Sequence, residues 1–224
     1  MRVPLSVRPM STINPGIAGV ILAGGQSRRM GGGDKALLDL GGKPMLAHVI
    51  ARLAGQVQPL AVSANGDPAR FQSFGLPVIA DEVGDFAGPL AGVLAGLRWA
   101  QTEGASFVVT VPSDSPFIPL DLVARLTDAV LSAPSRFAVA ASGGRVHPVA
   151  GLWPIDMAEV IEAALARDVR RVQAFVEKAG AAVVSFEDVS IGEARVDPFF
   201  NANTPEELQA ARDIAAADDR VRHG

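Results

Sequence analysis

Along most of this 224-residue chain, short apolar strand-like runs alternate with longer segments whose apolar residues recur at helical spacing. Gly19-Val20-Ile21-Leu22-Ala23 is a buried-strand run closed by Gly24-Gly25, and the first strand is read from Ile17 onward. Residues 44–53 predict a helix: Pro44 suits a first helical position, and Leu46, Val49, Ile50 and Leu53 share one face. Residues 60–63 and 77–80 read as strands, ended by the turn pair Asn65-Gly66 and by Asp81. Residues 90–99 are helical, residues 106–111 form a β-branched run stopped by Pro112, and residues 120–131 are helical behind Pro119. Such alternation builds a mostly parallel sheet with helices on both faces. Ligands of such sheets sit beyond the carboxyl ends of the strands. That rule points to Gly24 onward, Asn65, Asp81 and Asp114, each just past a predicted strand.

The second half is less regular. Residues 137–141 and 145–153 flank Ser142-Gly143-Gly144 and predict a hairpin. Helical patterns over 155–165 and 169–178 precede a strand over 181–186. Thr204-Pro205-Glu206-Glu207 is a capping box, with Thr at the N-cap, Pro at N1 and Glu at N3. It opens a last helix reaching about Ala217. With no internal repeat or low-complexity linker, the expectation is one α/β domain over residues 16–217. Residues 1–15 form a ragged extension whose order the sequence leaves open, and 218–224 a polar, fraying tail.

Composition removes several classes of function. Twenty Lys and Arg stand against 24 Asp and Glu, a formal charge of −4, which disfavours a broadly basic nucleic-acid binder. There is no cysteine, so disulfides, thiolate zinc sites, iron–sulfur clusters and a Cys nucleophile are all excluded. The longest apolar run, residues 87–97, falls short of the roughly 20 residues a spanning helix needs. The start of the chain lacks a signal-peptide pattern, so the expected address is the cytoplasm.

The strongest chemical signal runs from Leu22 to Lys35. A strand enters a loop with five glycines, Arg28, Arg29 and Lys35, against the single acid Asp34. Glycines let a backbone approach a ligand closely, and successive N–H groups can form an anion nest, so this composition suits a polyphosphate. Neither familiar phosphate motif is present. Gly42-Lys43 is followed by Pro44 and position 37 is Leu37, which fails the P-loop pattern twice. The Gly31, Gly33, Ala36 match to a dinucleotide fingerprint starts well past the strand. Asp114, in Val111-Pro112-Ser113-Asp114-Ser115-Pro116, ends the central strand without a basic neighbour in sequence. Alone it reads equally as a turn or cap residue; beside a polyphosphate loop it favours Mg²⁺, which binds through one or two carboxylates plus substrate phosphates. Asn201-Ala202-Asn203 reads as turn chemistry ahead of the capping box, and Asn65 and Asp81, each in isolation, as ordinary strand-end residues. His48, His147 and His223 are scattered, with no metal-ligand spacing. His147 reads more simply as packed or exposed than as facing a ligand. No nucleophile elbow and no zinc-hydrolase helix motif occurs.

The series LAGGQSRRMGGGDKALLDLGGKPML, SAN at 63–65, IAD at 79–81, GPLAG at 88–92, VPSDSPFIP at 111–119, HPVAGLW at 147–153, RRVQAF at 170–175 and NANTPEEL at 201–208 resembles the molybdenum cofactor guanylyltransferases, the MobA family. The resemblance covers nearly all of residues 17–212. It implies a Rossmann-like fold of the nucleotide-diphospho-sugar transferase type, and transfer of GMP from GTP to a molybdopterin-type cofactor with release of pyrophosphate. By position it implies that Leu22, Ala23, Gly24, Gly25, Asn65 and Asp81 bind the nucleotide. Lys35 would meet its phosphates, and Asp114 would bind Mg²⁺ and GTP. Arg29 is implied as a further catalytic group, and Arg170, Arg171, Asn201 and Asn203 as softer acceptor-binding candidates, Asn203 near the metal. Its partners would be GTP and the pterin cofactor, with transient contacts to cofactor-insertion proteins or target apoenzymes, and neither nucleic acid nor membrane. Sugar-phosphate relatives usually carry Leu-Ala-Ala-Gly and a Pro-Lys pair; Gly24, and Asp34 before Lys35, favour the guanylyl branch. The competing readings are a nucleotidyltransferase for another phosphorylated acceptor, including the CTP-dependent sister branch, and a non-catalytic GTP-binding accessory protein.

Overall fold

A seven-stranded sheet runs through the molecule in a computed structural model that describes residues 14–24, 34–80 and 88–223. In chain order the elements are β1 (Asn14–Leu22), β2 (Asp39–Leu40), β3 (Lys43–Pro44), α1 (Met45–Leu53), β4 (Val57–Ser63), β5 (Val78–Ile79), α2 (Pro89–Thr102), β6 (Phe107–Pro112) and α3 (Leu122–Ser132). There follow β7 (Ala138–Ser142), β8 (Arg145–Pro154), α4 (Met157–Leu165), α5 (Val172–Ala179), β9 (Ala182–Phe186), β10 (Val189–Ile191), β11 (Ala194–Val196) and α6 (Pro205–His223). The main sheet has the order β5-β4-β1-β6-β8-β7-β9. Every neighbouring pair is parallel except the two made by β8, which runs against both β6 and β7. The expected α/β domain with a mostly parallel, mixed sheet is what forms.

Alternation along β1 explains why helices cover both faces. Ile17 and Ile21 join Leu46, Val49 and Leu53 of α1 and Leu122 and Leu126 of α3 on one side. Ala18, Val20 and Leu22 join Leu90, Val93, Leu94 and Leu97 of α2, with Met157 of α4 and Phe175 of α5, on the other. Side chains of successive strand residues point to opposite faces, so one apolar run serves two cores. Gly19, between them, permits close packing: a Cβ there would lie 2.6 Å from Val57 Cγ2 and 2.7 Å from Leu60 Cδ1. On the α2 side, fully buried Trp153 stacks on Phe137 and donates from Nε1 to Thr110 Oγ1 at 2.8 Å, which donates on to the Val149 carbonyl at 2.6 Å. A third core lies under α6, where Leu208, Ala211 and Ala215 meet Leu40, Met45 and Phe117.

Several boundaries move. The first strand begins at Asn14 rather than Ile17, with Asn14 and Pro15 in register with Val57 and Gln58 of β4. Pro44 is the extended N-cap of α1 instead of its first helical residue, because Lys43 and Pro44 pair with Asp39 and Leu40 as a short hairpin. The fourth helix starts at Met157, since β8 runs on to Pro154. The hairpin β10–β11 is an addition to the sequence reading, and α6 continues to His223, past Ala217. The Gly143-Gly144 turn between β7 and β8 has φ of +54° and +78°, the left-handed pair that a two-residue hairpin loop requires.

Candidate active site

Parallel register brings the strand ends together. Leu22 of β1 pairs with Ser63 of β4 on one side and with Pro112 of β6 on the other. Gly24, Asn65 and Asp114 each lie two residues further on, at the same edge of the sheet. The backbones are tied there: Ala23 N donates to the Ser63 carbonyl at 2.8 Å, and Ser113 N to the Leu22 carbonyl at 3.0 Å. Leu22 and Ala23 are buried, whereas Gly24 and Asn65 are exposed. Gly25, Arg28, Arg29 and Asp81 lie outside the described residues.

The chemistry converges on Lys35. Its ammonium donates to Asp114 Oδ2 at 2.8 Å and to Asn203 Oδ1 at 2.5 Å. Three segments far apart in sequence thus meet at one point. Each is held independently. Asp34 caps the short 3₁₀ turn Lys35–Leu37 by accepting from Ala36 N at 3.1 Å. The capping box at the start of α6 forms as expected, with Glu207 N donating to Thr204 Oγ1 at 3.2 Å and Glu207 Oε2 accepting from Thr204 N at 3.0 Å. The same carboxylate accepts from Asn203 N at 2.7 Å, so the box also fixes the backbone that presents Asn203. Asn201 is placed by Ser115, whose hydroxyl donates to Asn201 Oδ1 at 2.6 Å, and Ala202 N donates to the Asp114 carbonyl at 3.4 Å.

Arg70 is a residue that the sequence reading passed over. Its Nε donates to Asp34 Oδ2 at 2.7 Å, one terminal nitrogen to the Asn65 carbonyl at 2.6 Å and the other to the Asp67 carbonyl at 2.8 Å. It clamps the turn that carries Lys35 to the loop that carries Asn65. The only local signal is Asp67, which accepts from Ala69 N and starts the 3₁₀ helix Pro68–Phe74 that presents Arg70.

Arg170 and Arg171 are not drawn to Lys35. Arg170 Nε pairs with Asp168 Oδ1 at 2.6 Å, and Arg171 is the exposed N-cap of α5. The Arg170 carbonyl lies 3.0 Å from where a Cβ on Gly88 would sit, which places this segment against the N-terminus of α2.

A cleft of about 120 Å³ opens beside Asp114, walled by Ser115, Asn201, Arg145, His147 and Phe199 among others. The His147 ring stacks on Phe199, with centroids 4.7 Å apart, and its Nε2 lies 2.7 Å from Ser142 Oγ. Ser142 Oγ in turn donates to Asp197 Oδ1 at 2.6 Å. Burial holds the imidazole below its ordinary value; the Asp197 carboxylate opposes this and the Arg145 guanidinium adds to it. Among the described residues no three His, Asp or Glu side chains gather as a metal cluster, and no helix is long and apolar enough to cross a membrane.

The family model of the MobA-like NTP transferase domain matches residues 19–183. The chain belongs to that family. The molybdenum cofactor guanylyltransferase of Bradyrhizobium sp. is 48% identical over 213 residues, covering 94% of this chain and 98% of that protein. The enzyme of the same name from Mesorhizobium japonicum is 52% identical over 199 residues, covering 88% and 95%. Among solved structures, molybdopterin-guanine dinucleotide biosynthesis protein A from Archaeoglobus fulgidus shares the fold at a TM-score of 0.69 and 20% identity, over 89% of this chain and 98% of that one. CMP:2-keto-3-deoxy-manno-octonic acid synthetase shares it at a TM-score of 0.64 and 19% identity, over 90% and 99%. The shared fold is a mostly parallel α/β sheet flanked by helices.

Proposed function

We propose that this chain is a nucleotidyltransferase that moves GMP from GTP to a molybdopterin-type acceptor, forming the guanine dinucleotide form of the molybdenum cofactor and releasing pyrophosphate. The observation that carries the reading is the meeting of Lys35, Asp114 and Asn203 at the carboxyl edge of the sheet, in a chain of this family.

The reaction is an in-line displacement. An oxygen of the acceptor's phosphate attacks the α-phosphorus of GTP and forms a new P–O bond. The bond from that phosphorus to the bridging oxygen breaks, and its electron pair leaves on pyrophosphate. The attacking phosphate is already ionised near neutral pH, so no protein base is required. Catalysis then rests on positioning and electrostatics. In this reading Leu22, Ala23, Gly24 and Gly25 bring backbone to the nucleotide, and Asn65 and Asp81 help bind it, Asp81 at the guanine or ribose end. Lys35 and Arg29 meet the phosphates, and the Lys35 interaction strengthens as charge moves to the leaving group. Asn201 and Asn203 take the acceptor side, with Arg170 and Arg171 as further acceptor candidates.

Asp114 Oδ2 and Asn203 Oδ1 already flank a cationic group, and oxygen donors of this kind suit a hard divalent cation. Asp114, with Asn203 beside it, would hold Mg²⁺, which offsets phosphate charge when bound. The proposed setting is the cytoplasm, with transient hand-over of the product to insertion proteins or apoenzymes.

The test uses GTP labelled at the α-phosphorus in one reaction and at the γ-phosphorus in another, with Mg²⁺ and molybdopterin. The α-label should move to the pterin product and the γ-label to pyrophosphate. GTP bound without any transfer would establish a non-catalytic binding protein instead.

A further inference from the structure

The cleft beside Asp114 carries a polarity that the reaction scheme leaves unused. Ser142 is buried and has one proton, which it gives to Asp197 Oδ1 at 2.6 Å. At 2.7 Å from His147 Nε2 it can therefore only accept, so Nε2 carries the hydrogen. This is the reverse of a nucleophilic serine, whose proton would go to the histidine. Asp197 is itself fixed, because the oxygen that accepts from Ser142 also accepts from Phe199 N at 2.9 Å. Phe199, which the same loop presents, lies under the imidazole and meets Phe186 edge-on with centroids 5.5 Å apart. The ring is locked in both plane and tautomer.

The consequence falls on Nδ1. Burial keeps the imidazole neutral, so Nδ1 is an unprotonated hydrogen-bond acceptor. Among the described residues it takes no hydrogen bond, and it is not a sealed orphan either, so solvent reaches it on a ring that lines the cleft. Around it the wall includes the exposed Arg145, whose guanidinium is a donor, while Phe199 is buried behind the imidazole. Ser115 and Asn201, beside Asp114 in the chain and in space, line the same cleft. A flat heterocycle carrying ring or amino N–H groups next to a carbonyl oxygen matches this pattern. Its phosphate-bearing side would then face Asp114.

We propose that this cleft seats the fused pterin ring of the acceptor, and that His147 reads its aminopyrimidinone edge by accepting an N–H at Nδ1 while Arg145 donates to the neighbouring carbonyl. His147 is thus a specificity residue for the acceptor, held by Ser142 and Asp197 as positioning residues. This rests on the guanylyltransferase reading, whose acceptor is a pterin.

Four variants test it: His147→Asn keeps an acceptor oxygen near the Nδ1 position, His147→Gln keeps only a donor toward Ser142, His147→Phe keeps only the ring stack, and Ser142→Ala releases the tautomer without altering the cleft wall. The first readout is equilibrium binding of pterin-6-carboxylate, followed by its own fluorescence, which requires no turnover. The second is the KM for molybdopterin and for GTP in the full reaction. His147→Gln and His147→Phe should raise the pterin Kd and the molybdopterin KM about three- to tenfold, the ratio one neutral hydrogen bond commands. His147→Asn should stay nearest the parent, Ser142→Ala should shift in the same direction as Gln, and the KM for GTP should hold within about twofold, the precision the comparison needs. Ser142→Ala decides the matter where a His147 variant does not fold. Unchanged pterin binding in His147→Gln, or equal losses for GTP and pterin, would overturn the proposal. An absence of GMP transfer in the parent protein, with pterin binding still dependent on His147, would sink the guanylyl reading and leave the cleft assignment standing.

Discussion

The two sides of the sheet offer different kinds of surface to the same edge. On one side β5, β4, β1 and β6 run parallel, and their ends deliver Gly24, Asn65 and Asp114 as loop residues just past the sheet. On the other side β8 runs against β6, with Gly151 opposite Thr110. Reversal carries the beginning of β8, from Arg145 to Pro148, beyond the end of β6. This side therefore presents a wall of strand side chains rather than a loop. A parallel edge with backbone N–H groups and short polar residues suits phosphates, which are recognised by charge and close backbone approach. A wall with one imidazole and one guanidinium suits a ring whose edge carries a donor beside an acceptor. Lys35, Asp114 and Asn203 meet at the seam between them, where the proposed phosphoryl transfer would occur.

Substitutions should separate the two sides. The largest effect belongs to the seam. Asp114→Ala should cut Mg²⁺-dependent transfer about 10²–10³-fold while circular dichroism stays native, because only its backbone carbonyl ties Ala202. Near-normal turnover would remove Asp114 from the chemistry. Lys35→Ala should cost about 10²-fold in kcat/KM for GTP, the scale of one lost transition-state donor. An intact kcat/KM would leave Lys35 a mere tether between Asp114 and Asn203. Arg70→Ala should act on the nucleotide side alone. Freeing the turn of Lys35 from the Asn65 loop should raise the KM for GTP about tenfold, worth 1.4 kcal/mol of positioning, with the KM for molybdopterin unmoved. A rise in both would break the division between the sides.

Acid should act in the opposite sense, on the acceptor side alone. The His147 pKa in the folded protein lies below 6.5, because burial outweighs Asp197 and Arg145 adds to it. As pH falls below 6.5 and through that lower value, Nδ1 gains a proton and stops accepting, so the KM for molybdopterin should rise while that for GTP stays flatter. Stability falls in the same window, since the unfolded chain takes the proton more readily. His147→Asn should flatten both curves. The smallest kinetic effect is expected from Gly19→Ala, which lies under both sides and touches neither site. Its new methyl meets Val57 and Leu60 and should cost about 1–3 kcal/mol, read as a lower Tm with unchanged KM values below melting.

The nucleotide side was far more legible in the sequence than the acceptor side, for a physical reason. Gly24, Asn65 and Asp114 each follow a strand, and Lys35 follows the glycine-rich loop, so local pattern and the rule for parallel sheets bring them to one edge, while the role of Asn65 came from the family resemblance. The capping box at Thr204 and Glu207 is equally local. The pairing of Lys35 with Asn203, 168 residues apart, is tertiary and has no periodicity to announce it. The link of Ser142 to Asp197, 55 residues apart, is of the same kind, which is why His147 read as a scattered histidine. Arg70 carries no local pattern that marks it, because its partner Asp34 lies 36 residues away. The hairpin β10–β11 has strands of three residues, too short for an alternation to show. The family resemblance supplied Asn201 and Asn203, whose residues alone read as a turn.

The central claim is most directly tested by following pyrophosphate release with Mg²⁺ and molybdopterin in the presence of GTP, CTP, ATP or UTP in turn. Release with GTP, and little or none with the other three, is the predicted result. Release with CTP alone would move the protein to a cytidylyl activity, and release with none of the four would contradict the account.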